Sequence, residues 1–257
     1  MSLDWNHYNW QLLHDGPQEP LLHMALDAVI TDEVGAGLRP PTLRIWEWAA
    51  PAVVIGRFQS LRNEVDPEGA LRHGVQVVRR VSGGGAMFIE PGNTITYSLS
   101  VPEAFVAGMS FAESYAFLDS WVLKALNELG VKAWYQPLND IASDAGKIGG
   151  AAQARRSKAV LHHVTMAYDI DADKMVQVLR IGREKLSDKG TTSAKKRVDP
   201  LRTQTGLPRE TVIQRMIQTF AAMAPLEPVE LAPATVDKAR VQVAERFGTP
   251  EWQALVP

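Results

Sequence analysis

The chain has 257 residues, 27 Lys and Arg against 29 Asp and Glu, a net charge of −2 and no cysteine. A composition 46% hydrophobic and 22% charged excludes wholesale disorder, and the missing cysteine excludes disulfides, thiolate metal sites, iron–sulfur clusters and any thiolate nucleophile. Near-neutral charge argues against nucleic acid, no apolar run approaches the roughly 20 residues of a membrane span, and the polar, aromatic start has no signal-sequence pattern, so a cytoplasmic protein is expected.

In chain order, Leu22, Leu26, Val29 and Ile30 recur at helical spacing after Pro20, which predicts a helix to about Val34. Residues 43–48 and 52–56 predict two strands joined by a turn at Ala49-Ala50-Pro51. Asp66 caps a short helix reaching His73, with Pro67 at its first position, and 75–79 is a strand that runs into a glycine cluster. Ile95, Tyr97, Leu99 and Val101 alternate with Thr94, Thr96, Ser98 and Ser100, the pattern of a half-buried strand. Ser110 opens the clearest helix, with Phe111, Tyr115, Leu118, Val122, Ala125, Leu126 and Leu129 on one stripe and Gly130 as its stop. Strands follow at 132–135, 147–151 and 160–170, and helices at 173–180, 209–222 and 235–247.

Strands dominate the first two-thirds, at hairpin-like spacings. The fold class is therefore α+β, a mixed sheet flanked by helices rather than regular β-α-β alternation. Prolines 225, 228 and 233 mark a connector, dividing a main unit of residues 1–225 from a connector and C-terminal helix at 226–257, too short for a domain of its own. Charge is uneven: 147–209 holds 14 Lys and Arg against 6 Asp and Glu, a basic stretch that can steer an anionic partner.

Four stretches look chemical. In Arg79-Arg80-Val81-Ser82-Gly83-Gly84-Gly85-Ala86, a strand ends in two guanidinium groups beside glycines whose backbone can lie against an anionic ligand. The loop has neither a following Gly-Lys-Ser/Thr nor the spaced glycines of a dinucleotide fold. In Asn139-Asp140-Ile141 and Lys147-Ile148-Gly149-Gly150-Ala151-Ala152-Gln153, an ammonium starts a strand beside glycines, placed to neutralise charge on a phosphoryl or acyl oxygen. His162 and His163, with Thr165, sit on an apolar strand; adjacent histidines face opposite ways and do not share a metal, and no Ser-His-Asp triad is expected because Ser82 lacks the context of a nucleophile elbow. Hydroxyl and basic residues at 189–193 and 197–201 form a candidate phosphate-closing loop.

The order of these motifs, with Gly92-Asn93-Thr94 before the Thr/Tyr/Ser strand, resembles the lipoate–protein ligase A family over about residues 12–206. The resemblance implies a catalytic fold like that of biotin–protein ligases and class II aminoacyl-tRNA synthetases. It implies condensation of lipoate with ATP, aided by Mg²⁺, to lipoyl-AMP, then transfer to a lysine of an acceptor lipoyl domain such as an E2 subunit or glycine-cleavage H protein. Arg80, Ser82, Gly83, Gly84, Gly85 and Ala86 would line the acyl and adenylate site, with Asn93 near the nucleotide. Asn139 and Asp140 match the nucleotide and Mg²⁺ region, Asp140 as metal ligand. Lys147 matches the lysine that contacts acyl carbonyl and α-phosphate, with Gly149, Gly150, Ala151, His163 and Thr165 around it. The lipoyl tail needs an apolar tunnel, for which Ile55, Val77 and Leu161 are candidates.

Ile89 and Glu90 stand where the family often has His-Asp, Val164 stands where many members have Gly, and the Asn139–Lys147 spacing is short. The small accessory domain of many ligases is not seen, so a separately encoded partner is expected to assist adenylation. Octanoyl transferases of this group work through a cysteine, which this chain lacks. A lipoyl-adenylate binding module without turnover is the other alternative.

Overall fold

The computed structural model describes residues 4–180 and 199–257. Its strands are β1 (Trp10–Leu13), β2 (Thr42–Trp46), β3 (Ala52–Ile55), β4 (Gln76–Arg79), β5 (Met87–Ile89), β6 (Thr94–Pro102), β7 (Ala133–Gln136), β8 (Asp140–Ser143), β9 (Gly146–Arg156), β10 (Ala159–Ala167) and β11 (Leu226–Pro228). The helices are α1 (Pro20–Gly35), α2 (Leu61–Glu64), α3 (Pro67–Arg72), α4 (Phe111–Glu128), α5 (Ala172–Val178), α6 (Leu201–Thr205), α7 (Arg209–Ala221), α8 (Pro233–Gln242) and α9 (Pro250–Gln253). Eight strands make one mixed sheet in the order β11-β1-β2-β6-β10-β9-β8-β7, the expected class, and a second sheet, β4-β3-β5, packs beside it.

The second sheet was not expected, and it changes the reading of residues 43–56. β2 is hydrogen-bonded to β1 on one edge and β6 on the other, so no edge remains for β3. Ala49-Ala50-Pro51 therefore carries the chain between layers instead of closing a hairpin, and β3 pairs with β4 and β5. β1 and β2 are parallel and joined through α1, a crossover that antiparallel hairpin spacing does not suggest.

The proline-bearing stretch expected as a connector supplies β11, parallel to β1 at the sheet edge, where Pro228 leaves no ladder bond unmade. After it, α8 packs on α1.

α4 forms where Ser110 predicts it: Ser110 and Glu113 make a reciprocal capping box. Its stripe of Leu118, Val122, Ala125 and Leu126 is fully buried with Trp121 against β6 and α7, at about 1.5–3 kcal/mol for each large apolar side chain. Phe111, placed on that stripe by spacing, is 67% exposed instead: it is the first helical residue, and the Arg155 guanidinium of β9 stands over its ring at 5.1 Å.

β6 departs from its pattern most instructively. Its polar residues do not face water; the whole strand is buried except its last residue. Thr96, Ser98 and Ser100 face α1 and the small sheet, where Trp48 Nε1 donates to Thr96 Oγ1 (3.2 Å), Trp46 Nε1 to Ser98 Oγ (3.1 Å) and Ser98 Oγ to Asp27 Oδ1 (2.8 Å). The alternation marks a buried polar layer between the sheet and its cover, and the site lies along it.

Candidate active site

Between the β6–β10–β9 face of the large sheet and the small sheet lies a cavity of about 310 Å³. Its apolar walls include Met24, Trp46, Trp48, Val54, Phe88 and Met175. None of Ile55, Val77 and Leu161 lines it. On β3 the side chains alternate, so Val54 faces the cavity while Val53 and Ile55 pack outward on α5 residues. Leu161 packs with α1 residues instead.

The glycine loop separates the two arginines that look equivalent in sequence. Arg79 is fully buried away from the cavity, and its guanidinium donates to backbone carbonyls of Gly56, Arg57, Gln59, Gln253 and Val256. It ties the C-terminal residues to the loop after β3 and is a structural clamp, not an anion ligand. Arg80 does line the cavity. Its Nη1 donates to Val54 O (3.2 Å), its Nη2 to Gly83 O and to Gly85 O (2.9 Å), and its Nε to Ser82 Oγ (3.1 Å).

No carboxylate lies within ion-pair distance of Arg80 among the described residues. Burial pushes its guanidinium down to about 10, so at neutral pH it is a cation stripped of solvent that an anion in the cavity would relieve. Gly84 holds φ +88°, and a Cβ there would meet Arg80 Nη2 at 2.9 Å, so this position requires glycine. Gly85 and Ala86 line the cavity; Ser82, Gly83 and Gly84 do not, and support it from behind.

The second motif folds as the β8–β9 hairpin, where only a single short strand at 147–151 was expected. Lys147 Nζ sits 2.7 Å from Asp140 Oδ1, and the lysine side chain is 43% exposed at the cavity mouth. Asn139 Nδ2 donates to Ala151 O (2.6 Å) and Ala151 N to Asn139 O (2.8 Å), fixing the hairpin. Asn139, Lys147, Gly149, Gly150 and Ala151 all line the cavity. A Cβ on Gly150 would stand 3.4 Å from Lys147 Nζ and 3.7 Å from Asp140 Oδ1. Gly150→Val is therefore expected to displace the ammonium and lower turnover at least tenfold with little change in global stability; unchanged turnover would show that Lys147 does not depend on that bare backbone.

His162 and His163 face opposite ways, as strand geometry dictates. His162 Nε2 lies 2.7 Å from Asp119 Oδ1 under α4, whereas His163 and Thr165 line the cavity. Against the sequence expectation, a Ser-His-Asp line does form. Ser82 Oγ is 2.6 Å from His163 Nε2, and His163 Nδ1 is 2.9 Å from Asp27 Oδ2.

Asn93 does not line the cavity: its Oδ1 accepts from Glu90 N (2.8 Å) and closes a turn. Glu90 is ion-paired with Lys174. The candidate closing loop at 189–193 and the start of 197–201 lie outside the described residues. Among the described residues no three His, Cys, Asp or Glu converge on a metal position, and no helix is long and apolar enough to cross a membrane.

Asp27 and His23 were missed by sequence reasoning. The available signal was their position on the buried face of an apolar helix, where a carboxylate is rare unless paired. His23 stacks on Trp46, its Nδ1 2.6 Å from Arg44 Nη2. Burial, helped by Arg44, holds His23 well below its ordinary 6.5. Burial also lowers His163, outweighing its bond to Asp27.

An unfolded chain gains protons at both imidazoles as pH falls through 6.5, and the folded chain does not. Stability is thus full above that value and falls below it, by up to about 1.4 kcal/mol per pH unit for each histidine. Glu33 and Glu47, held below 4.5, act only at lower pH. Denaturant titration between about pH 7.5 and 5 should show the loss, and His23→Gln should reduce its slope; a flat profile would contradict burial of the two rings.

Comparison with known proteins places this geometry. The family model for the lipoyl protein ligase A/B catalytic domain matches residues 19–221. An octanoyltransferase LipM of Halalkalibacterium halodurans is 26% identical, over 95% of this chain and 98% of its own. An octanoyltransferase LipM of Symbiobacterium thermophilum is 32% identical over 67% of this chain and 70% of its own. The bi-partite lipoate protein ligase of Thermoplasma acidophilum, solved in a study of that ligase and its E2 lipoyl domain, superposes with a TM-score of 0.87 at 26% identity, covering 98% of both chains.

Proposed function

The chain belongs to the lipoyl protein ligase A/B catalytic domain family, and we propose that within it the chain is a lipoate–protein ligase, with residues 1–225 as its catalytic unit. It joins lipoate to ATP, releasing pyrophosphate, and passes the lipoyl group from lipoyl-AMP to a lysine of an acceptor lipoyl domain, on an E2 subunit or a glycine-cleavage H protein. One observation carries this reading. An apolar cavity opens on Lys147 and on Arg80, which has no ion pair among the described residues, in a chain without cysteine, so two cations border the cavity and a thioester on the protein is not available.

The chemistry follows from these groups. The carboxylate oxygen of lipoate attacks the α-phosphorus and the phosphoanhydride bond to pyrophosphate breaks. Negative charge spreads over the phosphoryl oxygens, where the Lys147 ammonium and the amides of Gly85 and Ala86 can meet it; one preorganised donor is typically worth about 3–4 kcal/mol. Arg80 holds the glycine loop in shape and adds its charge at the cavity wall. The acceptor amine then attacks the acyl carbonyl and AMP leaves. Trp46, Trp48 and Met24 hold the acyl tail and keep water from the adenylate.

Asp140 and Asn139 fit a Mg²⁺ shared with nucleotide phosphates, which needs only one or two carboxylates from the protein, rather than a metal held by protein alone. When bound, that ion would neutralise phosphate charge. The similarity to a bi-partite ligase supports a separate accessory protein as partner for adenylation.

A second reading is supported by the relatives named octanoyltransferases: acyl transfer from a thioester donor. Purified protein and candidate accessory proteins with Mg²⁺-ATP, ¹⁸O-carboxylate lipoate, an octanoyl thioester and apo lipoyl domain separate the two. The ligase reading expects lipoylated acceptor and ¹⁸O in the AMP; acceptor acylation with no label in AMP would sink it.

A further inference from the structure

The Ser82–His163–Asp27 line has the spacing of a nucleophilic relay, yet its surroundings give it another task. Ser82 is buried behind the cavity wall and is absent from the lining. Its hydroxyl faces His163, and its oxygen accepts from Arg80 Nε at 3.1 Å. An acyl carbonyl in the cavity therefore meets Arg80, Gly85 and His163 before it meets Ser82 Oγ.

The direction of the hydrogens settles what the line does. Asp27 Oδ1 accepts from Ser98 Oγ (2.8 Å) and lies 3.3 Å from Arg44 Nη1, and its Oδ2 faces His163 Nδ1. A carboxylate at Nδ1 keeps the proton on that nitrogen, so Nε2 is bare and takes the Ser82 O–H. Ser82 then has its lone pair free for Arg80 Nε–H. Each hydrogen points the same way, from the Arg80 cation through Ser82 and His163 to the Asp27 anion, an arrangement in which hydrogen bonds polarise one another. Arg80's remaining bonds run to Val54, Gly83 and Gly85 carbonyls.

We propose that Asp27 is a positioning residue: through the fixed tautomer of His163 and the hydroxyl of Ser82 it sets the rotamer of Arg80, and thereby the shape of the glycine loop over the cavity. Asp27 touches neither the cavity nor any ligand in it, and its position on α1 couples that helix to the loop. Only the loop's use in catalysis rests on the ligase reading; the relay itself does not.

The test is made on the ligand-free full chain. Ring ¹⁵N NMR of His163 should show the Nδ1–H tautomer with Nε2 bare. Hydrogen exchange of the buried Arg80 Nε–H, which donates to Ser82 Oγ and Gly83 O, should rise roughly tenfold or more in Ser82→Ala, the expected effect of removing one buried hydrogen-bond partner. Asp27→Asn should raise it comparably and shift His163 toward the Nε2–H tautomer, and the double variant should show no further increase, since both act along one line. If Asp27→Asn fails to fold because Arg44 loses its partner, the tautomer and the Ser82→Ala exchange still decide.

An Nε2–H tautomer in the native chain, unchanged exchange of the Arg80 Nε–H in Ser82→Ala, or additive effects in the double variant would overturn the proposal. So would a covalent acyl adduct on Ser82 after incubation with lipoyl-AMP or an octanoyl thioester, detected by intact mass and absent in Ser82→Ala, because it would make Ser82 a nucleophile. Loss of the relay with normal acyl transfer, or an intact relay with no transfer, separates this inference from the ligase reading.

Discussion

Lys147→Ala is expected to reduce acylation of a lipoyl domain by two or more orders of magnitude while leaving the unfolding midpoint within a degree or two of the parent. The lysine side chain is 43% exposed and its only ion pair among the described residues is with a partly exposed aspartate at 2.7 Å, a pair worth at most about 1 kcal/mol to folding. Its chemical contribution is expected to be larger because the ammonium stands at the cavity mouth, beside backbone kept bare by Gly150. Loss of a preorganised donor costs charge stabilisation that arises only in the transition state, so kcat should fall with little change in KM. Steady-state kinetics beside a thermal melt check both halves. Near-parental kcat would remove Lys147 from the chemistry, and a large drop in midpoint would show that the ion pair is structural.

Arg79→Met is expected to cost about 3–5 kcal/mol of stability, the largest single-site loss anticipated outside the apolar core. Methionine approximates the length of the arginine stem but donates nothing, so carbonyls of Gly56, Arg57, Gln59, Gln253 and Val256 lose a shared donor in a buried place. The loss spreads beyond the residue: Trp252 Nε1 donates to Arg79 O (2.9 Å) and Leu61 N to Val256 O (2.9 Å), so release of 250–257 would loosen the loop between β3 and α2. Urea unfolding gives the number, and hydrogen exchange at 56–61 gives the route. A loss below about 1 kcal/mol would contradict the clamp.

The two arginines show what local sequence can carry. Arg79-Arg80 before three glycines announces a site, and Arg80 does reach the cavity. Nothing in the motif says that Arg79 turns the other way, because its acceptors come partly from residues more than 170 positions later. The β8–β9 motif was legible only in part: Lys147 and its glycines were placed on one strand, whereas the hairpin that sets Asn139 beside them needs the pairing of 140–143 with 146–150, which was not expected.

Asp27 has partners 71 and 136 residues away, and no spacing rule joins them. The polar alternation of β6 was correctly a strand signal but wrongly a solvent signal, since a cover of α1 and a second sheet turns a polar face into a buried hydrogen-bonded layer. The wall residue Val54 was missed by one position, because strand parity is decided by which layer β3 joins. That choice is tertiary: β2 already has both edges filled.

The ligase reading makes a further claim that the missing cysteine sharpens: the acyl group passes from phosphate to acceptor without resting on the protein. Side-by-side incubation of the purified chain and apo lipoyl domain with preformed lipoyl-AMP, or with an octanoyl thioester and no ATP, tests this most directly by acceptor mass. Modification of the acceptor lysine from lipoyl-AMP and none from the thioester is the predicted result. Modification from the thioester alone would contradict it.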